Sequence, residues 1–332
     1  MSQTSLIQIL TDKVKNTHKR VGLPECDSAK TLLAARRLLD EQIAVPVLIN
    51  IPSVIEDTAA AAAVSLDGME IVDISTVGMR DHLISEYLKY NNIFSEKSCI
   101  RKAGNPMNYA MMLEAVGELD AVFCGHTNTT ADVLMAASSL IGLKDEIDVP
   151  SIAALVEIPG FDGSEGSHLI FSDCGLNPEP SAEEMASIAI NAADLAAGLM
   201  GWDPRVAFLS YSTKGSGAGD SIDRINEAIQ IVKKRRPELK ADGEFQLDTA
   251  ILPHTAEKKL KEPSSVAGVA NILIFPELGS ANIAIKAVQI FAHGNGYGHT
   301  LSGFRRPVAD SSRNASVDEM VGDIVMLLLA GQ

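Results

Sequence analysis

A chain of 332 residues is long enough for about two domains, and an apolar share of 46% supplies a sizeable core to each. A formal net charge of -15 argues against nucleic acid or an anionic membrane as a general partner, because the field of the whole molecule repels polyanions. An anionic small ligand then needs locally concentrated Arg and Lys.

No apolar run approaches the roughly 18–20 residues of a membrane span. The start, Met1-Ser2-Gln3-Thr4, leads into a short mixed helix rather than a signal peptide. Cys26, Cys99, Cys124 and Cys174 are scattered, without C-x-x-C pairs or His clusters. That spacing fits reduced cytoplasmic thiols, and no metal site is expected.

Val21-Gly22-Leu23-Pro24 reads as a short buried strand. Asp27 or Ser28 can cap the helix that follows, whose apolar positions Leu32, Leu33, Ala35, Leu38 and Leu39 recur at helical spacing. Val45–Ile51 is a near-continuous apolar strand, so the first 50 residues contain a βαβ unit and predict a parallel sheet. An Ala-rich helix around Ala59–Ala63, a strand Met69–Ile74 and helices between about 79 and 117 repeat the pattern. The strand Asp120–Cys124 ends in Gly125-His126-Thr127-Asn128-Thr129-Thr130-Ala131-Asp132. A polar loop at the carboxyl end of a strand is where ligands sit in open α/β sheets. Thr129 and Thr130 are therefore candidate substrate ligands, although such hydroxyls also serve as N-caps for the helix through Met135–Leu140.

Composition shifts near Pro150, where closely spaced strands begin; one is His168–Phe171, ending at Ser172-Asp173-Cys174. Ser181 with Glu184 three residues on forms a capping box that opens a helix. The strand Arg205–Tyr211 runs into Ser212-Thr213-Lys214-Gly215-Ser216-Gly217-Ala218-Gly219-Asp220. A Gly-rich strand-to-helix loop bearing Lys214 can present backbone N–H groups to an anion, or it can be a flexible turn. Its spacing fits neither a dinucleotide fingerprint nor a P-loop. Asn271–Phe275 is a core strand and Asn282–Phe291 a helix; His293–Gly298, with Tyr297 as a further candidate ligand, leads to the last segment. The final helix, apolar at Val321, Ile324, Val325 and Leu328, needs a sheet to cover. The expected domains are 1–149 plus 295–332, and 150–294.

The last loop concentrates chemistry. Arg313 can grip two phosphate oxygens with its planar fork, Ser312 can donate to a developing oxyanion, and Glu319 can take a proton. Ser316-Val317-Asp318-Glu319 also matches S-x-x-E, in which Glu319 ties off backbone donors. A cap fixes the acid in place, so both roles can coexist.

Ser312-Arg313 followed by Ser316–Glu319 resembles the C-terminal signature of the phosphotransacetylases, the phosphate acetyl- and butyryltransferases. The likeness runs from Leu23-Pro24-Glu25 through Thr129-Thr130-Ala131-Asp132, Ser172-Asp173-Cys174 and Leu209–Gly217. It continues in Asp242-Gly243-Glu244, Phe275-Pro276-Glu277-Leu278 with Lys286, and Pro307-Val308 with Asp310. It implies two α/β domains with largely parallel sheets around an interdomain cleft, of the isocitrate and isopropylmalate dehydrogenase type. It also implies a cytoplasmic homodimer that transfers an acyl group, acetyl before propionyl or butyryl, between coenzyme A and phosphate. Coenzyme A is a substrate there, and no cofactor is bound. The implied catalytic set is Ser312, Arg313 and Glu319, with Thr129, Thr130, Lys214, Lys286 and Tyr297 on the substrates. Where the family carries arginines this chain has Leu88, Met135 and Ile290, so its anion contacts are thinned. A silent paralogue that only binds ligand is the alternative from another class, and a dehydrogenase of the related fold is a third.

Overall fold

The computed structural model describes residues 6–91 and 93–330, so the expectation placed on Met1–Thr4 lies outside the described residues. The chain forms two compact units, residues 1–142 with 304–332, and residues 143–303.

The first unit opens with α1 (Leu6–Val14), β1 (Arg20–Leu23), α2 (Ala29–Asp40), β2 (Val45–Asn50), α3 (Pro52–Ala62) and β3 (Glu70–Asp73). It continues with α4 (Val77–Tyr90), α5 (Glu96–Lys102), α6 (Pro106–Ala115), β4 (Ala121–Cys124) and α7 (Thr130–Leu140). The βαβ reading of the first 50 residues holds: β1 pairs parallel with β2 in the register Arg20↔Val45 to Leu23↔Leu48. Both strands are buried along nearly their whole length, which is why they read as apolar runs without alternation. α2 turns Leu32, Ala34, Ala35 and Leu38 inward and leaves Leu33 exposed. Ser28 occupies its N-cap position, but no side chain bonds the helix end there.

The second unit holds β5 (Ser151–Glu157), β6 (His168–Ser172), α8 (Ala182–Met200), β7 (Arg205–Leu209) and α9 (Asp220–Arg235). After them come β8 (Lys240–Phe245), α10 (Leu247–Ile251), α11 (Pro253–Lys259), β9 (Ile272–Ile274), α12 (Leu278–Phe291) and β10 (Asn295–Ser302). Its strands run in the order β10-β5-β6-β9-β7-β8. β5 is antiparallel to both of its neighbours, and the other pairings are parallel. The capping box at Ser181 is formed, with the Glu184 carboxylate on the Ser181 N–H at 2.8 Å and the Ser181 hydroxyl on the Glu184 N–H at 3.2 Å. Phe171 and Phe275 pack at 5.2 Å between ring centroids, in a core with Leu169, Leu273, Phe245 and Ala281. Residues 295–302, expected with the first domain, belong here because they pair antiparallel with β5.

The chain then returns to the first unit as β11 (Val308–Asp310) and α13 (Val317–Ala330). That unit's sheet order is β3-β2-β1-β4-β11, parallel throughout. α13 packs on α1, α2, β4 and β11 and buries Val321, Ile324, Val325 and Leu328 as their spacing requires. No helix among the described residues is long and apolar enough to cross a membrane.

Candidate active site

In the first unit, the carboxyl ends of the adjacent parallel strands β1, β4 and β11 deliver three loops to one edge of the sheet. The loop after β1 supplies Glu25, only 3% exposed. Its carboxylate accepts from the backbone N–H groups of Gly125 (3.1 Å), His126 (2.8 Å), Thr127 (3.0 Å) and Asn128 (2.8 Å), and from the Asn128 side chain (2.7 Å). The turn after β4 is thus wrapped around a buried anion. The loop after β11 is tied to the same turn by the Ser311 N–H on the Cys124 carbonyl, 2.7 Å. Asp310 lies between them, buried, with one carboxylate oxygen unpartnered. Burial pushes its pKa up; a hydrogen bond from the Thr130 hydroxyl opposes this, and the Glu25 charge reinforces it. Gly125 has a φ of +94°, and a Cβ there would meet Asp310 Oδ1 at 2.1 Å, so only glycine fits this crossing.

Ser312, Arg313 and Glu319 project from this third loop and the first turn of α13, all exposed. Arg313 makes no hydrogen bond or ion pair among the described residues. Its charge is available to a ligand. The hydroxyl of Ser312 accepts weakly from the Asn314 N–H at 3.3 Å and keeps its own hydrogen to donate. The capping box of α13 is closed: Glu319 Oε2 accepts from the Ser316 N–H (2.7 Å) and hydroxyl (2.9 Å), while the Ser316 oxygen accepts from the Glu319 N–H (3.2 Å). The cap therefore holds the acid by one oxygen. One turn on, burial and the Glu319 charge push Asp323 up to about 7.

The remaining nominated residues are more committed to the protein itself. Thr129 caps α7, accepting from the Asp132 N–H at 3.1 Å and donating to the Asp132 carboxylate at 2.6 Å. Thr130 is turned to Asp310. In the second unit, Lys214 Nζ donates to Asp242 at 2.6 Å and to the Gly243 carbonyl, and stands 5.2 Å from the centroid of the Phe245 ring. Burial works against the Asp242 charge, but hydrogen bonds from Lys214 and Ser264 outweigh it and hold the carboxyl below its usual range. The Gly-rich loop is not an open anion cradle. The protein's own Glu244, buried, accepts there from the Ser212 hydroxyl and the Gly215 N–H, both at 2.8 Å, and Ser212 and Ser216 take the N–H groups of Gly217 and Thr213. Tyr297 donates its hydroxyl to Glu157 at 3.0 Å. Lys286 is exposed on α12 and makes no ion pair among the described residues. At the positions where the resemblance expects arginines, Met135 is 65% and Ile290 66% exposed, and Leu88 is half-buried.

Sequence reasoning missed the work of Glu25, Asp310 and His126. The first two entered only as letters in the resemblance, and none of the three sits in a local pattern that reports its partner.

A parallel α/β unit whose strand-end loops carry a hydroxyl, a guanidinium unpaired among the described residues and a capped carboxylate has the make-up of a group-transfer enzyme for an anionic substrate. The profile of the family described as "Phosphate acetyl/butaryl transferase" matches residues 5–328, and the chain belongs to that family. It is 38% identical to the phosphate acetyltransferase of Treponema pallidum over 320 residues, covering 94% of each chain. Its structure is similar to that of a phosphotransacetylase from Streptococcus pyogenes, with a TM-score of 0.89, 28% identity and coverage of 100% of this chain and 99% of the other. A fold likeness extends to 4-hydroxythreonine-4-phosphate dehydrogenase from Klebsiella pneumoniae, with a TM-score of 0.54, 10% identity and coverage of 94% and 99%. That relation fits the dehydrogenase-like architecture.

Proposed function

We infer that the chain is a phosphate acetyltransferase, moving an acetyl group between coenzyme A and inorganic phosphate. The observation that carries this reading is Arg313, an exposed guanidinium without a partner among the described residues, beside Ser312 and one loop away from a carboxylate held in place by its own cap. In the direction of acetyl-CoA synthesis, Glu319 takes the proton of the coenzyme A thiol. The thiolate attacks the carbonyl carbon of acetyl phosphate, the C–S bond forms, and Ser312 donates to the oxyanion. As the carbonyl re-forms, the bond between the acyl carbon and the bridging phosphate oxygen breaks and phosphate leaves on Arg313, whose fork matches two of its oxygens. Coenzyme A takes part as a substrate.

A homodimer is part of the same proposal, and its support is α12. That helix buries only Ala281 while leaving Ile283, Ile290 and Phe291 71%, 66% and 83% exposed, an apolar face that a second copy would cover. A cytoplasmic location is supported by the four unbridged cysteines.

The test is thiol-dependent exchange between acetyl-CoA and acetyl phosphate by the purified protein, with propionyl and butyryl donors alongside. Exchange fastest with acetyl is expected. A folded protein that titrates with coenzyme A in a calorimeter but exchanges none of the three would be a silent binder.

A further inference from the structure

His126, in the turn after β4, takes no part in the mechanism above. Its backbone N–H is clamped on Glu25 Oε2 at 2.8 Å, which fixes where the side chain starts. Its ring Nδ1 lies 3.2 Å from the main-chain oxygen of Ser312. A carbonyl oxygen only accepts, so Nδ1 carries a hydrogen there and donates it. Nε2 is then the nitrogen left over, on a half-exposed ring laid against the residue that precedes Arg313, and it has no partner among the described residues.

The charges around this edge make a second cation useful. A phosphate group near neutral pH carries close to two negative charges, and Arg313 alone offers one positive charge. Of the other cations nearby, Lys30 is turned to the Ala315 carbonyl, with Nζ donating at 2.8 Å, and Arg37 is shared by Glu41 and Asp318. The same sheet edge carries acids, Glu25 after β1, Asp132 in the first turn of α7 and Asp310 at the end of β11, beside the cation Arg313. Donation from Nε2 requires the doubly protonated ring, because Nδ1 already carries a hydrogen.

We propose that His126 is a second ligand of the phosphate group, donating from Nε2 to a phosphate oxygen while Arg313 holds others. This rests on the acyl-transfer reading. Because Nδ1 is committed to the Ser312 carbonyl, the ring can meet a ligand only through Nε2.

The experiment compares His126→Ala and His126→Arg with the unaltered chain, reading steady-state constants for acetyl phosphate and coenzyme A and calorimetric binding of inorganic phosphate. Loss of one charge-assisted hydrogen bond should raise KM for acetyl phosphate and Kd for phosphate by about tenfold or more. KM for coenzyme A and kcat should stay within about threefold, and His126→Arg, a permanent cation, should recover most of the phosphate affinity. A fall in kcat at constant KM would make the ring a proton acceptor and overturn the proposal. An equal rise in both KM values, or no recovery with Arg, would reduce His126 to a structural residue. The two readings fail separately. Exchange that persists while phosphate binding ignores His126 sinks only this inference. Absence of exchange beside His126-dependent phosphate binding sinks only acyl transfer.

Discussion

Glu25 shows how one side chain can build a loop that carries chemistry elsewhere. Five N–H donors converge on its carboxylate, and a nearly buried acid is tolerable only because that many donors replace water. Glu25→Gln keeps the shape, removes the charge and turns an amide NH₂ toward groups that can only donate. Thermal unfolding should show a loss of about 2 kcal/mol or more, with exchange activity falling as the 125–128 turn loosens. An unchanged melting midpoint would mean the turn is held by something other than this carboxylate. The residue scale is also where sequence reading was weakest. The capping boxes at 181–184 and 316–319 were legible because their partners lie three residues apart. The partner of Lys214 lies 28 residues on, and those of Glu25 about 100. Nothing local announces them, so Lys214 read as a free cation and Glu25 as a bystander.

At the scale of the element, α13 combines an apolar body with an acidic first turn. Val321, Ile324, Val325 and Leu328 bury against neighbours, and the 3.6-residue period made that helix legible in advance. β10 escaped because its glycines and His read as a connection, and only its pairing with β5 makes it a strand. α13 also has a pH-dependent cost. Asp323, one turn after Glu319, is pushed up to about 7 in the fold against about 3.9 in an unfolded chain. A raised carboxyl binds more protons folded than unfolded, so its contribution to stability falls as pH rises from about 4 to about 7. Asp323→Asn should accordingly raise the melting midpoint at pH 8 and change it little at pH 4.5. An equal change at both values would contradict the assignment.

For the whole molecule, the two-unit α/β plan was legible from βαβ spacing and the shift near Pro150, while the boundaries at 142/143 and 303/304 depended on sheet pairings. Assembly makes its own prediction: Phe291→Asp puts a charge into the face that a second copy would cover, so sedimentation should find monomer where the unaltered chain gives dimer, with each unit still folded. The central claim concerns Glu319, which the structure ties to a cap and the mechanism uses as a base. Gln at this position can still reach the Ser316 N–H but cannot take a proton, whereas Ser316→Ala weakens the cap by about 1 kcal/mol and leaves the acid. The deciding measurement is therefore the rate of acetyl exchange between coenzyme A and acetyl phosphate in Glu319→Gln, beside its melting midpoint and those of Ser316→Ala. The predicted result is a rate lower by about 10²–10⁴ at nearly unchanged stability; full exchange in a stable Glu319→Gln protein would contradict it.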